Sequence, residues 1–410
     1  MTFREAEDWL LGLEQFGMRF GLDRMRRLMT VLGMPQHRFA SIHVVGTNGK
    51  SSTTRMTAAI LERHGVRTGS YTSPHLRSFA ERIEVGGVPV PEWDFGEAAG
   101  RAHEAVQILE RTLDGQERVT QFEALTAAAY HELARRGVEV AVVEAGLGGR
   151  LDATNVIPSR VQVLTGVALE HTRWLGSTVT EIAEEKLAVV RDHGCLVVPA
   201  LEPEVEAVAR RVAAERHARL VVAPEATPEG EGLKGAFQRR NFALARTAAH
   251  SFLDHPHSDL TREAAAGLRI PGRLERMRED PLVLYDAAHN PAGARALAEA
   301  LPEVTGGRPL VGVFGVLDDK DATGMLAELL PLCRSAVYTQ PAHPRALSPG
   351  ALEALGGESG VPCETAADPA AAIERAVALA GPQGAVIATG SIYLMADLLR
   401  DPGAPRASVL

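Results

Sequence analysis

The segment VVGTNGKSS, residues 44–52, combines glycines, a lysine and two hydroxyl side chains in the manner of a phosphate-binding loop. The common pattern, G-x-x-x-x-G-K-[ST], requires a glycine five residues before Gly49, and Val44 stands at that place. The surroundings still favour phosphate binding, because an apolar strand leads into the turn and a helical segment begins at Lys50. Backbone N–H groups there attract an anion, and Ser51 occupies the position of a Mg²⁺-ligating hydroxyl. The alternative is an ordinary strand-to-helix turn with an exposed lysine.

A phosphate loop usually needs an acidic residue at the end of a neighbouring strand to hold the metal ion. Glu144 fits this requirement, because it ends the apolar strand VEVAVVEAG (138–146) and precedes the glycine-rich stretch LGGRLDATN. A carboxylate there can reach the metal directly or through water. Strand ends often carry polar residues for other reasons, so Glu144 supports a nucleotide–Mg²⁺ site only together with the loop.

A lysine lies in the apolar stripe of the segment STVTEIAEEKLAVVR (177–191), whose helical start is marked by a capping box of Thr178 and Glu181. A lysine that faces a core is costly unless it is paired or neutral. Lys186 either extends its amine to the edge of the core or uses a shielded amine in chemistry. Just upstream, His171 is either a metal ligand or a structural histidine.

These residues need strands and helices to position them, and short apolar strands alternate with amphipathic helices along most of the chain. That alternation is typical of α/β domains with parallel sheets. A second strand–helix series follows IPGRLERMRED, and its first strand ends at Asp286, where open α/β sheets collect ligands. Arg273 could bring charge to a nucleotide between two domains. We place the linker at about 268–278, with domains at 1–270 and 277–410, and expect the last ten residues to be loose.

Composition limits the classes of partner. The 410 residues include 45% hydrophobic and 23% charged residues, as in ordinary globular proteins. The net charge of −9 argues against a general binder of nucleic acid or of membrane surfaces. No apolar run approaches membrane-spanning length, the charged amino terminus does not resemble a signal peptide, and three scattered cysteines show no pairing or metal-ligand spacing. We therefore expect a cytoplasmic protein.

Taken together, the motifs resemble those of the dihydrofolate synthase/folylpolyglutamate synthase family, which belongs to the Mur ligase superfamily of ATP-dependent amide-forming ligases. The matching segments occur in the family's order from about residue 20 to residue 394. They are GTNGKSS, YTSPHL, TQFEALT, EAGLGGRLDATNV, HTRWLG followed by Lys186, PGRLE, DAAHNP and TGSIYL. The resemblance implies an N-terminal P-loop ATPase-like domain with a parallel-rich sheet and a smaller Rossmann-like C-terminal α/β domain.

The resemblance also implies roles for particular residues. Those expected to contact ATP are Gly46, Thr47, Asn48, Gly49, Lys50, Ser51, Ser52, Asn241, Arg273 and Asp286. Those expected to hold one or two Mg²⁺ ions are Ser51, Ser73, Glu144, His171 and Lys186, the last as the carbamylated lysine of this family. Those expected to bind the pteroate or folate are Thr120, Gln121, Phe122, Glu123, Leu151, Asp152 and Ala153. His289 and Asn290 are expected near the site in the C-terminal domain.

Three positions depart from the family's usual pattern. Ser51 stands where the family usually has glycine, Phe237 stands where histidine is common, and Glu170 replaces the usual aspartate. The histidine change weakens the assignment of nearby Asn241.

The implied activity is the ATP-dependent joining of L-glutamate to dihydropteroate, to reduced folates, or to both, through an acyl phosphate. Lys50, Lys186 and His171 are its expected catalytic residues, and the enzyme is expected to act as a monomer. Two alternatives stay open: another Mur-type amide ligase and a non-enzymatic nucleotide switch. The first is disfavoured, because only about 45 residues precede the loop, too few for the UDP-binding domain of peptidoglycan ligases. The second would not need a second α/β domain with its own Asp286 site.

Overall fold

The computed structural model describes residues 1–17, 19–113 and 117–400, so the expectation for the last ten residues lies outside the described part. Among the described residues the chain forms two compact units, one of Met1–Gly232 with Arg240–Leu268 and one of Leu233–Arg239 with residues 269–400. In the described ranges, no helix has both the length and the apolar character needed to cross a bilayer.

An eight-stranded sheet forms the centre of the N-terminal unit. Its strands are β1 (Ala40–Val45), β2 (Thr68–Tyr71), β3 (Ile83–Val85), β4 (Val88–Pro89), β5 (Val140–Glu144), β6 (Val161–Leu164), β7 (Cys195–Val198) and β8 (Arg219–Val222). The strand order is β4-β3-β2-β5-β1-β6-β7-β8, with β3 and β4 antiparallel to their neighbours and the other strands parallel. Parallel strands place their carboxyl ends at one edge, where β1 and β5 lie side by side.

Helices cover this sheet. They are α1 (Phe3–Gly12), α2 (Asp23–Val31), α3 (Lys50–Arg63), α4 (Glu92–Glu110), α5 (Gln121–Arg135), α6 (Thr172–Leu175), α7 (Val179–Leu187), α8 (Pro203–Glu215), α9 (Ala236–Phe252) and α10 (Ser258–Gly267). One apolar core includes Leu10, Met25, Phe95 and Tyr130 from α1, α2, α4 and α5. A second core packs α7 and α8 beside β1, β6 and β7. Burial of these apolar side chains fixes the helices that surround the ends of β1 and β5.

A six-stranded sheet forms the centre of the C-terminal unit. Its strands are β9 (Glu275–Arg278), β10 (Leu282–Tyr285), β11 (Leu310–Phe314), β12 (Cys333–Tyr338), β13 (Cys363–Thr365) and β14 (Ala385–Thr389). The order is β13-β12-β11-β14-β10-β9, and only β9 is antiparallel to its neighbour among these strands. The helices are α11 (Pro291–Thr305), α12 (Ala322–Leu329), α13 (Pro349–Gly356), α14 (Pro369–Ala380) and α15 (Ile392–Leu399). The expected α/β class, with a parallel-rich N-terminal sheet and a smaller C-terminal α/β unit, is confirmed.

Two local expectations differ from the structure. The helix expected over 177–191 ends at Leu187, although its capping box of Thr178 and Glu181 is present. The stretch 224–235, interpreted as a surface excursion, contains a short 3₁₀ helix at Pro228–Gly230 in which Glu229 is buried. Glu229 lies 3.3 Å from an Arg246 guanidinium nitrogen, and this pairing allows an acidic residue to lie below the surface.

Candidate active site

The phosphate loop lies between β1 and α3, and Val44 belongs to the strand. Gly46 and Gly49 have φ angles of 151° and 83°, which side chains with a Cβ rarely adopt. A Cβ at Gly49 would also lie 2.6 Å from the Asn241 amide oxygen. These two glycines therefore meet a backbone requirement of the turn, and Asn241 lies directly over the loop.

Lys50 is the first residue of α3, and its side chain folds back over the loop. Its ammonium group donates hydrogen bonds to the carbonyl oxygens of Gly46 and Thr47, each at 3.1 Å. A cation is thus held at the helix amino terminus, where backbone N–H groups also converge. The loop offers an anion both a positive side chain and the positive end of a helix dipole.

The segment that follows β6 holds the phosphate loop from the side. Thr165 donates its hydroxyl proton to the Asn48 carbonyl at 2.6 Å, and the Gly166 carbonyl accepts from the Thr47 N–H at 2.9 Å. The Ala168 N–H donates to the Thr47 hydroxyl at 3.1 Å. This brace could not be predicted from the sequence, because its residues lie more than 100 positions beyond the loop and belong to no short motif.

Glu144 ends β5 and is 2% exposed, and its two carboxylate oxygens accept from different segments. Ser51 donates its hydroxyl proton to Oε1 at 2.9 Å, and the Ser73 N–H donates to Oε2 at 3.2 Å. Ser51 sits in the first turn of α3, where an ordinary residue fits, so replacing the family's glycine needs no unusual backbone. The structure therefore brings two of the expected metal-site residues, Ser51 and Ser73, to the carboxylate of a third, Glu144.

The next residue of α3, Ser52, carries a hydroxyl that is buried but, among the described residues, not paired as that of Ser51 is. Ser52 is 1% exposed, and its Oγ has no hydrogen-bond partner in the described ranges. A buried hydroxyl without a partner costs free energy, and such groups often meet a ligand. This oxygen lies beside Ser51 at the start of α3, where an anionic ligand would bind.

Lys186 does not extend to the edge of the core. It is 4% exposed, and its amine donates to the Gly46 carbonyl oxygen at 2.9 Å. Burial, together with the nearby positive charge of Lys50, lowers the pKa of Lys186 to about 7. The same carbonyl thus accepts from both lysines, and near neutral pH a large fraction of the Lys186 amine is unprotonated.

His171 lies just before α6 with a φ of 52°, and its ring is 39% exposed. Its Nε2 lies 4.0 Å from a carboxylate oxygen of Glu170. Within the described ranges, no three or more His, Cys, Asp or Glu side chains are grouped so that they could hold a metal ion.

The first candidate folate-binding segment begins α5, and three of its four residues serve the fold. Thr120 and Glu123 form the capping box of α5, and Glu123 also accepts from Arg24 at 3.1 Å. The Gln121 amide donates to the Leu10 carbonyl at 3.0 Å. Phe122 is partly exposed and stacks on Tyr71, with 6.2 Å between ring centroids. Phe122 is therefore the member of this set that is not fully buried.

The second candidate segment contains Leu151, Asp152 and Ala153, of which Leu151 is 40% exposed and the other two are buried. One Asp152 oxygen accepts from the Leu147 N–H at 2.8 Å, and the other accepts from the Thr154 N–H at 3.0 Å. Burial raises the pKa of Asp152, whereas these hydrogen bonds act in the opposite direction. The Asp152 carboxylate thus stabilises the loop that contains it, and the exposed Leu151 side chain presents an apolar surface.

The C-terminal unit has its own cluster at the end of β10. Asp286 is 3% exposed and accepts from the N–H groups of Leu274 and Ala288, at 3.0 and 2.9 Å. Burial raises the pKa of Asp286, and the charge of Arg273 opposes that rise. Asn290 caps α11 by accepting from the Gly293 N–H at 2.8 Å. His289 lies between them, with Nδ1 2.9 Å from the Ala287 carbonyl oxygen.

Comparison with known proteins places both units in one superfamily. Residues 44–229 match the Mur ligase middle domain, and residues 272–392 match the Mur ligase glutamate ligase domain. The dihydrofolate synthase/folylpolyglutamate synthase of Mycobacterium tuberculosis is 37% identical over 377 residues, covering 82% of this chain and 77% of that protein.

Solved structures show the same fold. One is folylpolyglutamate synthase of Mycobacterium tuberculosis complexed with ADP, with a TM-score of 0.89 and 34% identity, covering 98% of this chain and 99% of that chain. Another is E. coli FolC in complex with DHPP and ADP, with a TM-score of 0.86 and 28% identity, covering 96% of each chain. Both similarities extend over nearly the whole chain.

Proposed function

Since this chain belongs to the dihydrofolate synthase/folylpolyglutamate synthase family, we propose that it joins L-glutamate to dihydropteroate and to reduced folates with conversion of ATP to ADP and phosphate. The single observation that supports this most strongly is the braced phosphate loop, in which Lys50 lies at the start of α3 and Ser51 bonds Glu144. We further propose that the enzyme is monomeric and cytoplasmic.

The reaction has two steps. A pteroate or folate carboxylate attacks the γ-phosphorus of ATP, so that an acyl phosphate forms and ADP leaves. The amine of L-glutamate then attacks the acyl carbon, the C–O bond to phosphate breaks, and the amine loses a proton as the amide forms. A free carboxylate is a poor acyl donor, and phosphorylation converts one of its oxygens into a leaving group. The protein must align the reactants and stabilise the charge on the transferred phosphoryl group.

The phosphate loop is suited to that task. When phosphate oxygens replace the Gly46 and Thr47 carbonyls as acceptors, Lys50 can turn toward them, and the N–H groups of α3 donate from the other side. The hydroxyl of Ser52 can then donate to a phosphate oxygen. We assign the same ATP-binding role to Asn48, Gly49, Asn241, Arg273 and Asp286 by resemblance.

The residues around Glu144 fit a magnesium ion. Mg²⁺ prefers oxygen ligands, and the Ser51 hydroxyl and the Glu144 carboxylate already lie 2.9 Å apart. We propose that these oxygens hold Mg²⁺ together with Ser73 and His171, and that Lys186, as a carbamate, holds a second ion. The metal would neutralise phosphate charge when bound. The Lys186 amine is suited to carbamylation because its neutral form, which attacks CO₂, is abundant near pH 7.

Two side chains offer apolar surface to a flat aromatic substrate. Phe122 presents a partly exposed ring, and Leu151 is 40% exposed. We propose that these two contact the pteroyl group directly, whereas Thr120, Gln121, Glu123, Asp152 and Ala153 shape the segments that carry them.

Replacing Glu144 with glutamine tests the metal assignment. The amide keeps the size of the side chain but removes a negative charge, so we expect the half-saturating Mg²⁺ concentration to rise about 10- to 100-fold. Ser51→Ala removes one neutral oxygen and should produce a smaller rise. Glu231→Gln, at an exposed carboxylate, is the matched control. A Glu144→Gln enzyme with an unaltered Mg²⁺ requirement would exclude Glu144 as a ligand.

The proposed activity has a direct test with two acceptors assayed separately. We expect ATP and L-glutamate to give one ADP per amide bond, with dihydropteroate yielding dihydrofolate and a reduced folate yielding polyglutamates by mass spectrometry. A nucleotide switch would release no stoichiometric ADP. A Mur ligase of the peptidoglycan type would require a UDP-sugar instead. Product from one acceptor alone would reduce the proposal to a monofunctional ligase.

A further inference from the structure

A buried histidine lies on β1, three residues before the phosphate loop begins at Gly46. His43 is 0% exposed, and its Nε2 lies 2.8 Å from the hydroxyl oxygen of Thr154, which is also 0% exposed. Burial lowers the pKa of His43 to about 3, so the ring is neutral at physiological pH. Because both side chains are shielded from solvent, neither can touch a substrate.

The direction of the hydrogen bonds follows from Asp152. Its carboxylate accepts from the N–H groups of Leu147 and Thr154 and from the Thr154 hydroxyl. Since the Thr154 hydroxyl gives its proton to Asp152, its oxygen is left to accept from the Nε2–H of His43. The buried chain therefore runs from His43 through Thr154 and Asp152 to the backbone at Leu147.

Burying a histidine at this position costs free energy, because its other ring nitrogen gains no hydrogen bond from the described residues. Nδ1 is buried and has no hydrogen-bond partner in the described ranges. An apolar side chain at this place would avoid that penalty, so packing alone does not explain the histidine. What His43 adds is one directed donor to Thr154.

We propose that His43 is a positioning residue for the acceptor substrate, because its hydrogen bond through Thr154 and Asp152 fixes the loop 147–153 that presents Leu151. This inference rests on the proposed assignment of that loop to pteroate and folate binding. The Thr154 backbone has a second support, since its carbonyl accepts from the Tyr130 hydroxyl at 2.9 Å. Loss of the His43 bond should therefore free the Thr154 hydroxyl and loosen the Asp152 side chain that it orients, while the Thr154 backbone stays in place.

The test compares His43→Leu with His43→Gln, because the amide nitrogen of glutamine can replace Nε2 as the donor and leucine cannot. We expect His43→Leu to raise the KM for dihydropteroate about tenfold, as the loss of one buried hydrogen bond implies. The KM for ATP should change less than about twofold, because the bonds that brace the phosphate loop do not involve His43. His43→Gln should restore most of the loss.

A second pair keeps the test decisive if a histidine variant fails to fold. Thr154→Val removes the hydroxyl at nearly constant volume, and Thr154→Ser keeps it. Valine should reproduce the KM effect of His43→Leu and serine should not. The double variant His43→Leu with Thr154→Val should resemble either single variant, since both interrupt one chain.

Several results would overturn the inference. These are equal effects of leucine and glutamine at position 43, a parallel rise in the KM for ATP, or a lowered melting temperature with both KM values unchanged. Leu151→Ala separates this failure from failure of the proposed function. If Leu151→Ala raises the KM for dihydropteroate and His43→Leu does not, the loop binds the acceptor but His43 does not position it. If Leu151→Ala has no effect, the assignment of the loop is itself wrong, and the inference with it.

Discussion

Lys50→Ala should abolish glutamate-dependent ADP release, with a fall in kcat of at least about 10³-fold. Its ammonium group is held at the start of α3 by two loop carbonyls, within reach of a phosphate bound there. Without it, the transferred phosphoryl group loses a positive side chain at the loop, and binding energy elsewhere cannot replace a charge aimed at the transition state. Quantifying ADP and amide product in the same reaction measures the effect.

The Lys50→Ala experiment needs two controls, one for loss of a lysine elsewhere and one for correct folding. Lys234→Ala removes an exposed lysine of the C-terminal unit and should leave turnover unchanged. The circular dichroism spectrum and the melting temperature of Lys50→Ala should stay close to those of the parent, because Lys50 is only partly buried and is not part of an apolar core. Persistent turnover by a folded Lys50→Ala protein would show that the loop does not bind the reacting phosphate.

Lys186→Met should inactivate the enzyme about 100-fold or more and at the same time stabilise its fold. Methionine has a similar length and no charge, so it removes the amine that the proposed carbamate requires. It also removes the cost of burying an ammonium group, which at about 1.4 kcal/mol per pKa unit amounts to several kcal/mol for a shift from 10.5 to about 7. Activity assays in bicarbonate-containing buffer measure the first effect, and urea denaturation in CO₂-free buffer measures the second.

The sign of the pH dependence is fixed by the lowered pKa. Between about pH 7 and pH 10.5 the unfolded chain binds more protons at Lys186 than the folded chain does, so the free energy of unfolding rises with pH. The stabilisation by Lys186→Met is therefore largest at and below about pH 7 and fades as the pH approaches 10.5. Identical pH slopes for the two proteins from pH 7 to 9 would contradict the lowered pKa. A carbamate signal from ¹³C-labelled bicarbonate, absent in Lys186→Met, would report the modification itself.

The sequence was sufficient for features that depend on local pattern. Strand β1, the turn and α3 follow from an apolar run, two glycines and a helix-forming segment, and the structure places them as expected. Glu144 could be anticipated because parallel strands share one carboxyl edge, so the end of β5 had to lie near the end of β1. The position of Lys186 in an apolar stripe left two possibilities open, and the structure shows its amine buried rather than extended to the edge of the core.

Other features depend on contacts between distant segments. The brace from Thr165 and the relay from His43 to Thr154 each join residues more than 100 positions apart, and threonine and histidine have many other uses in proteins. The sequence also could not show that Gln121 and Glu123 hold α5 to α1 and α2, through Leu10 and Arg24. A motif identifies which residues lie near a site, whereas the direction of each side chain depends on the folded core.

The Gly46 carbonyl accepts hydrogen bonds from the side-chain amines of both Lys50 and Lys186, and this arrangement makes their behaviour interdependent. Any anion that draws Lys50 away from that oxygen lowers the repulsion felt by a proton on Lys186. The pKa of Lys186 and the affinity of the loop for an anion are therefore thermodynamically linked, so a change in either one changes the other. Through the Gly46 carbonyl oxygen, the protonation state of Lys186 in the ligand-free enzyme is thereby coupled to the binding of an anion at the loop.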